Sequence, residues 1–210
     1  MINSDHLFWD SCVFIRYLTG IPPEHNGDID DYIEDAKKRR RAIYYSTLIF
    51  TEIRPRFLIK KYGTIRRFIE DMKGAFYPIE PNPNILIAAG ELKDAKSVNP
   101  GNPKDKSPRE IGTPDAIHLM SCTFARDSLK IPDIVFHTFD DGKGKTWEGK
   151  CVPLLSFEKW FPAGKRTARV EEVCSLPREQ PLYPQTNLLR YKPDGEQPHT
   201  GTGEQDRPIG

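Results

Sequence analysis

Three features of the sequence predict an α/β fold with a central, mostly parallel sheet. Short apolar runs of strand length recur at 7–9, 42–45, 75–79 and 134–139. The first three are each followed by residues that start helices, at Ser11, at Ser46-Thr47 and at Asn82-Pro83. Strands and helices therefore alternate, and such an order packs as one sheet with helices on both faces, a three-layer α/β/α arrangement.

Taken in order, Leu7-Phe8-Trp9 reads as a buried strand ending at Asp10. Ser11 is placed to cap a helix through about Leu18, stopped by Gly20 and Pro22-Pro23. Residues 28–41, DIDDYIEDAKKRRR, form a helix with its acids early and its bases late, as the helix dipole favours. Ala42 to Tyr45 is a second strand. Ser46 or Thr47 caps the next helical segment, LIFTEIRPRFLIKKYG, in which Pro55 demands a kink or a break. Thr64 to Lys73 is an amphipathic helix and Ala75 to Ile79 a short strand; Asn82-Pro83 opens a helix through about Ser97. Asn99 to Gly112 is a loop, long enough to suggest a functional role. In Thr113-Pro114-Asp115, Thr caps, Pro takes the first position and Asp sits in the first turn of a helix running to about Ser128. Ile134 to Phe139 is a strand ending at Asp140, and Cys151 to Leu155 is read as a last strand.

The 210 residues suffice for one substantial domain with an appendage. Apolar residues concentrate in 5–161, whereas 162–210 is rich in Pro, Gly, Gln, Arg and Glu. The expected organisation is a packed domain over 1–161 and an extended or disordered polar tail over 162–210, because that composition buries too little surface to offset chain entropy. A net charge of +1 excludes a polycation, so nucleic-acid binding would need local basic patches. Cys12, Cys122, Cys151 and Cys174 form no C-x-x-C and no zinc-type spacing, and free thiols fit a reducing cytoplasm. The N-terminus lacks a basic region followed by a long apolar run, and no stretch reaches the roughly 20 apolar residues that span a bilayer.

Four acids stand where an acid is costly. Asp10 lies between Leu7-Phe8-Trp9 and Val13-Phe14-Ile15, and Glu52 within Leu48-Ile49-Phe50-Thr51-Glu52-Ile53. Asp115 precedes Ala116-Ile117-His118-Leu119-Met120, and Asp140 follows Val135-Phe136-His137-Thr138-Phe139. Taken singly, Asp10 is explained as a helix cap, Asp115 as a dipole partner and Asp140 as a turn residue; only Glu52 resists a structural account. Together, half-buried carboxylates repel one another unless a cation neutralises them, and an all-oxygen set suits Mg²⁺ or Mn²⁺ rather than zinc.

The same residues carry a resemblance. The D-S of Asp10-Ser11, the S-T-x-x-x-x-E from Ser46 to Glu52, the D-A of Asp115-Ala116 and the T-x-D of Thr138-Phe139-Asp140 resemble, in order and spacing, the motifs of PIN-domain nucleases, in particular compact VapC-like ribonucleases of toxin–antitoxin pairs. The likeness covers about residues 5–160. It implies a PIN-like three-layer α/β/α fold, with Asp10, Glu52, Asp115 and Asp140 as both the metal ligands and the catalytic acids. Thr138 would position the last Asp, and Ser11 would line the pocket. Asp141, next to Asp140, competes for the last ligand position, and Asp140 is preferred because it closes the T-x-D.

The activity so implied is metal-dependent hydrolysis of RNA phosphodiesters by an endoribonuclease. An antitoxin-like protein partner and a homodimer follow by analogy only. Arg16, Arg54, Arg56, Lys60 and Lys61, with Lys104 and Arg109 of the long loop, are the candidate nucleic-acid contacts. The basic run Lys37 to Arg41 is explained equally well as a solvated helix end. His118 and His137 are read as packing residues. The competing readings are a catalytically silent PIN fold that binds RNA or protein, and a phosphatase using Asp10. Cys12 stands where the phosphatase D-x-D motif needs its second acid.

Overall fold

The computed structural model of the chain describes residues 4–101, 109–142 and 151–184. Expectations for Lys104, for most of the long loop and for the chain beyond 184 lie outside those residues.

Five strands form one sheet: β1 (His6–Trp9), β2 (Ala42–Ser46), β3 (Phe76–Ile79), β4 (Val135–His137) and β5 (Arg178–Glu179). Their order is β3-β2-β1-β4-β5 and each neighbouring pair is parallel. The helices are α1 (Ser11–Thr19), α2 (Asn26–Lys37), α3 (Ile49–Glu52), α4 (Pro55–Leu58), α5 (Ile65–Met72), α6 (Pro83–Lys93), α7 (Thr113–Asp127), α8 (Phe157–Trp160) and α9 (Ala168–Cys174). None of the described helices is long and apolar enough to cross a membrane.

Strand alternation divides the core into two layers. Leu7 and Trp9 of β1, Ile43 and Tyr45 of β2 and Val135 of β4 face one side, with Val13 and Phe14 of α1, Ile29 and Tyr32 of α2 and Phe68 of α5. Phe8 and Phe136 face the other, with Ile85 and Leu92 of α6, Ala116 and Leu119 of α7 and Phe157 of α8. Phe8 and Phe136 stack across the β1–β4 ladder with centroids 5.5 Å apart. A strand buried on both faces reads as a continuous apolar run, which is why Leu7-Phe8-Trp9 shows no polar alternation. The three-layer expectation holds.

Local signals were accurate where a side chain does the capping. Thr64 Oγ1 accepts from the Arg67 N–H at 3.3 Å and opens α5. Asn82 Oδ1 accepts from Asn84 and Ile85 at 3.0 and 3.1 Å and opens α6. Pro55 does break its segment, ending α3 at Glu52 and starting α4. Three caps move. Asp10, not Ser11, caps α1; Leu48, not Ser46 or Thr47, occupies the cap position of α3; and Gly112, not Thr113, occupies that of α7.

Two larger expectations are corrected. Residues 151–155 form no strand: Cys151 makes one isolated bridge to Glu110, and Leu154–Ser156 is a 3-10 turn leading into α8. Nor does the packed domain end at 161. Val170 and Val173 of α9 are fully buried and Leu176 is 2% exposed, all in the layer that holds α6 and α7. β5 then adds a parallel edge strand beside β4. Averaged composition hid three apolar residues at helical spacing, each spent on the core.

Candidate functional site

The chain leaves β1, winds outward through β2 and β3, then returns to β4 on the other side of β1. The strand order therefore reverses between β1 and β4, and loops diverge there at the carboxyl ends of the strands, leaving a crevice. Asp10 follows β1 and Thr138-Phe139-Asp140 follows β4, so both acids flank that crevice. A cleft of about 740 Å³ opens there, and Asp10, Glu52, Asp115, Asp140 and Asp141 all line it, with Ser11 and Cys12. Five acids from four separate segments are thus brought to one concavity, as the sequence reading expected of four of them.

Asp10 is 4% exposed and fully engaged. Its Oδ1 accepts from the Ser11 N–H at 2.7 Å, the capping bond of α1. Its Oδ2 accepts from the Thr138 hydroxyl at 2.8 Å and from the Cys12 thiol at 3.0 Å. Thr138, fully buried, also accepts the Asp140 N–H at 3.0 Å. One hydroxyl therefore ties the two strand-end acids together. Asp140 is oriented by backbone, its Oδ1 accepting from Gly142 N–H at 3.0 Å and its Oδ2 from Leu154 N–H at 3.1 Å. Asp141 beside it is exposed on the rim.

Glu52 closes the short helix α3, and its Oε2 lies 2.7 Å from Nε2 of His118, which is fully buried. Burial works against the His118 cation, but the Glu52 hydrogen bond and the charges of Asp10, Glu52 and Asp115 outweigh it and raise its pKa. His118 is thus not mere packing: it fixes Glu52 from α7, one turn beyond Asp115. Asp115 leans back over the start of α7, where a Cβ on Gly112 would stand 2.5 Å from its Oδ2, so glycine makes room for this acid. Burial, then the charges of Asp10 and Asp140, push Asp115 up to about 7 from an ordinary 3.8; His118 partly offsets this and Glu52 adds to it. Asp115 thus feels the charges of the other three acids.

Cys12 and His118 are the two functional neighbours that sequence reasoning set aside. Burial, then Asp10, hold the Cys12 thiol well above its usual range, so it remains a neutral donor, and its sulfur receives the Phe139 N–H at 3.2 Å. The only sequence signal for His118 was its spacing of three from Asp115 on one helix.

Of the proposed basic contacts, Arg16 and Arg54 line the cleft. Arg56 is exposed above the Phe57 ring and Lys60 is exposed, and neither lines it. Lys61 lies over Tyr17 and pairs with Asp30 at 3.7 Å. Arg109 stacks over Trp160 at 4.6 Å and donates to the Cys151 carbonyl at 3.2 Å, which fastens the loop end to the 151 segment. Four of the five residues in the run 37–41 pair within the protein, Lys37 with Asp71, Lys38 with Glu34, and Arg40 and Arg41 both with Asp35.

Among the described residues, no three His, Cys, Asp or Glu side chains already stand as a metal-ligand group. The donor set is nevertheless oxygen-rich, and the raised Asp115 pKa reflects burial first and then repulsion from Asp10 and Asp140, the second of which a bound cation would relieve. Comparisons with protein-family models, with curated proteins and with solved structures find nothing that matches this chain.

Proposed function

We propose that the chain is a divalent-metal-dependent endoribonuclease of the PIN type. The observation that carries this reading is the meeting of Asp10, Glu52, Asp115 and Asp140 at the strand-order reversal, with Asp115 pushed up to about 7 by burial and then by Asp10 and Asp140. Mg²⁺ or Mn²⁺ would be held by these four, with Asp141 at the rim. When bound, the cation lowers the pKa of a water and screens charge on the phosphoryl oxygens.

The protein's own residues supply the rest. Thr138 and Cys12 hold the Asp10 carboxylate at the end of β1, and backbone N–H groups hold Asp140 beyond β4, so both acids face the same crevice. Arg16 and Arg54 grip the phosphates on either side of the cut. The proposed setting is cytoplasmic, which four free cysteines favour.

The test is cleavage of an end-labelled RNA by the purified chain with Mg²⁺ or Mn²⁺. Cutting that stops with chelator, and drops at least about 100-fold in Asp10→Asn, is the expected result. No cutting by the native chain under any divalent ion would sink the reading. A toxin role adds a second expectation: expression of the native chain arrests growth and Asp10→Asn does not. An antitoxin-like partner or a homodimer belongs to that same proposal.

A second reading, a catalytically silent fold that binds RNA or protein, is favoured by one observation. The carboxylates of Asp10, Glu52 and Asp140 already have protein donors, and no ligand group is preformed among the described residues. RNA binding without turnover, unaffected by Mn²⁺, would select it.

A further inference from the structure

The cleft has a second lining besides its acids. Ile15, Ile21, Pro22 and Phe139 give it an apolar side. Ile21 is 69% exposed. A single exposed aliphatic residue needs no explanation by itself. This one stands on a turn that the structure holds firmly. Gly20 ends α1 with φ +68°, the Ile21 N–H bonds to Thr19 Oγ1 at 3.2 Å, and the Asn26 amide donates to the Gly20 carbonyl at 3.0 Å. The turn presents Ile21 and Pro22 to the cleft at no further ordering cost.

Two cations flank the same space. Arg16 lies 3.5 Å from the centroid of Phe139 and donates to the Glu24 carbonyl at 3.3 Å. Arg54 is exposed. Neither guanidinium has a carboxylate within 4.0 Å among the described residues. Phe139 is covered on its other side by His25, with centroids 6.0 Å apart, so the phenyl face is not itself open to a ligand. What the cleft offers is the exposed aliphatic turn Ile21-Pro22, lining the same space as two guanidiniums that have no ion-pair partner among the described residues, beside the acids.

We infer that Ile21 and Pro22 form a ledge for one unpaired nucleobase next to the cut, with Arg16 and Arg54 on the phosphates flanking it. This rests on the nuclease reading above and deepens it: it gives one base beside the cut a place on two residues of this chain, Ile21 and Pro22. A duplex keeps its base faces stacked inside, so only a splayed base places its face on the ledge while its phosphate reaches the acids. Charge complementarity selects this occupant, since the ligand must be anionic along one edge and flat and uncharged beside it.

The experiment measures two things on the full chain, binding by fluorescence anisotropy in Ca²⁺ and cleavage in Mn²⁺. The probe is a single-stranded RNA of roughly a dozen nucleotides and a series in which each nucleotide in turn is made abasic. On the native chain one abasic position weakens binding and cleavage by about fivefold, the loss expected from one apolar contact. Ile21→Ser, a change at an exposed site that leaves the melting temperature unmoved, shows the same loss on intact RNA. It is then indifferent to that abasic position. A flat abasic scan, or a penalty that persists undiminished in Ile21→Ser, overturns the ledge while leaving the nuclease reading intact. Ledge-dependent binding without cleavage keeps the ledge and removes the nuclease reading. No binding of RNA at all, with capture of an acidic peptide instead, overturns both.

Discussion

Thr138 shows how much one side chain can set. Its hydroxyl gives its proton to Asp10 and takes the Asp140 N–H, so both strand-end acids depend on it. Thr138→Val keeps the shape and removes both bonds inside a fully buried site. The expected cost is about 1–3 kcal/mol in thermal unfolding, with cleavage falling further than stability does, while Thr138→Ser restores both. Asp115 makes a separate statement about pH. Its folded pKa of about 7 lies above the unfolded value near 3.8, so the folded metal-free chain holds an extra proton between them. That contribution is complete below about pH 4 and is lost as pH rises through 7. Asp115→Asn should therefore stabilise the metal-free protein progressively from pH 4 to pH 8 in denaturant melts. The shift sets a ceiling of about 4 kcal/mol, reduced to about 1–2 by the solvent that reaches this half-buried acid. A constant difference at all pH values would show that Asp115 titrates normally. The acids were legible in the sequence because a carboxylate amid Leu, Ile and Phe is conspicuous. Cys12 and His118 were not, because an apolar context is where either residue ordinarily packs, and only the fold brings them against Asp10 and Glu52.

At the scale of elements, legibility followed the range of the interactions. Helices opened by their own capping side chains, as at Thr64 and Asn82, were readable from neighbours in the chain. α9 and β5 were not. β5 has two residues and exists because the ladder of β4 is there to receive it, with Phe136 N–H bonding to the Pro177 carbonyl at 2.9 Å and Thr138 N–H to Glu179 at 3.1 Å. The second of those bonds holds the residue that orients Asp10, so the last strand braces the site from behind. Val173 of α9 is fully buried in the layer beneath. Val173→Asp should cost about 3 kcal/mol or more in urea melts and lower activity through unfolding alone, with Mn²⁺ affinity of the folded fraction unchanged. A neutral effect would mean that 162–184 is dispensable, as composition alone suggested. Val173→Thr, smaller in its insult, should fall between the two.

Over the whole molecule, the proposed metal-dependent reading requires the cleft to couple cation, proton and fold. A cation at the four acids must displace the proton that Asp115 carries below about pH 7. Mn²⁺ affinity, measured by calorimetry on the complete chain, should then rise about tenfold per pH unit between pH 5 and 7 and level off above it, with about one proton released per ion in the lower range. Binding to the folded form alone also stabilises it, by about 2.7 kcal/mol at a hundredfold excess over Kd. The melting temperature should rise with Mn²⁺ at pH 8 and much less at pH 5.5. Asp115→Asn separates the two effects, because it removes the titrating proton together with one ligand charge. Its affinity should be weaker at pH 8 and less dependent on pH than that of the native chain, with His118 beside Glu52 still titrating, so that the curves of native chain and variant converge as pH falls. Parallel curves would place the titrating group elsewhere. A melting temperature indifferent to Mn²⁺ at pH 8 would leave the cleft's acids as partners of the protein alone and remove the basis for a metal-dependent reaction.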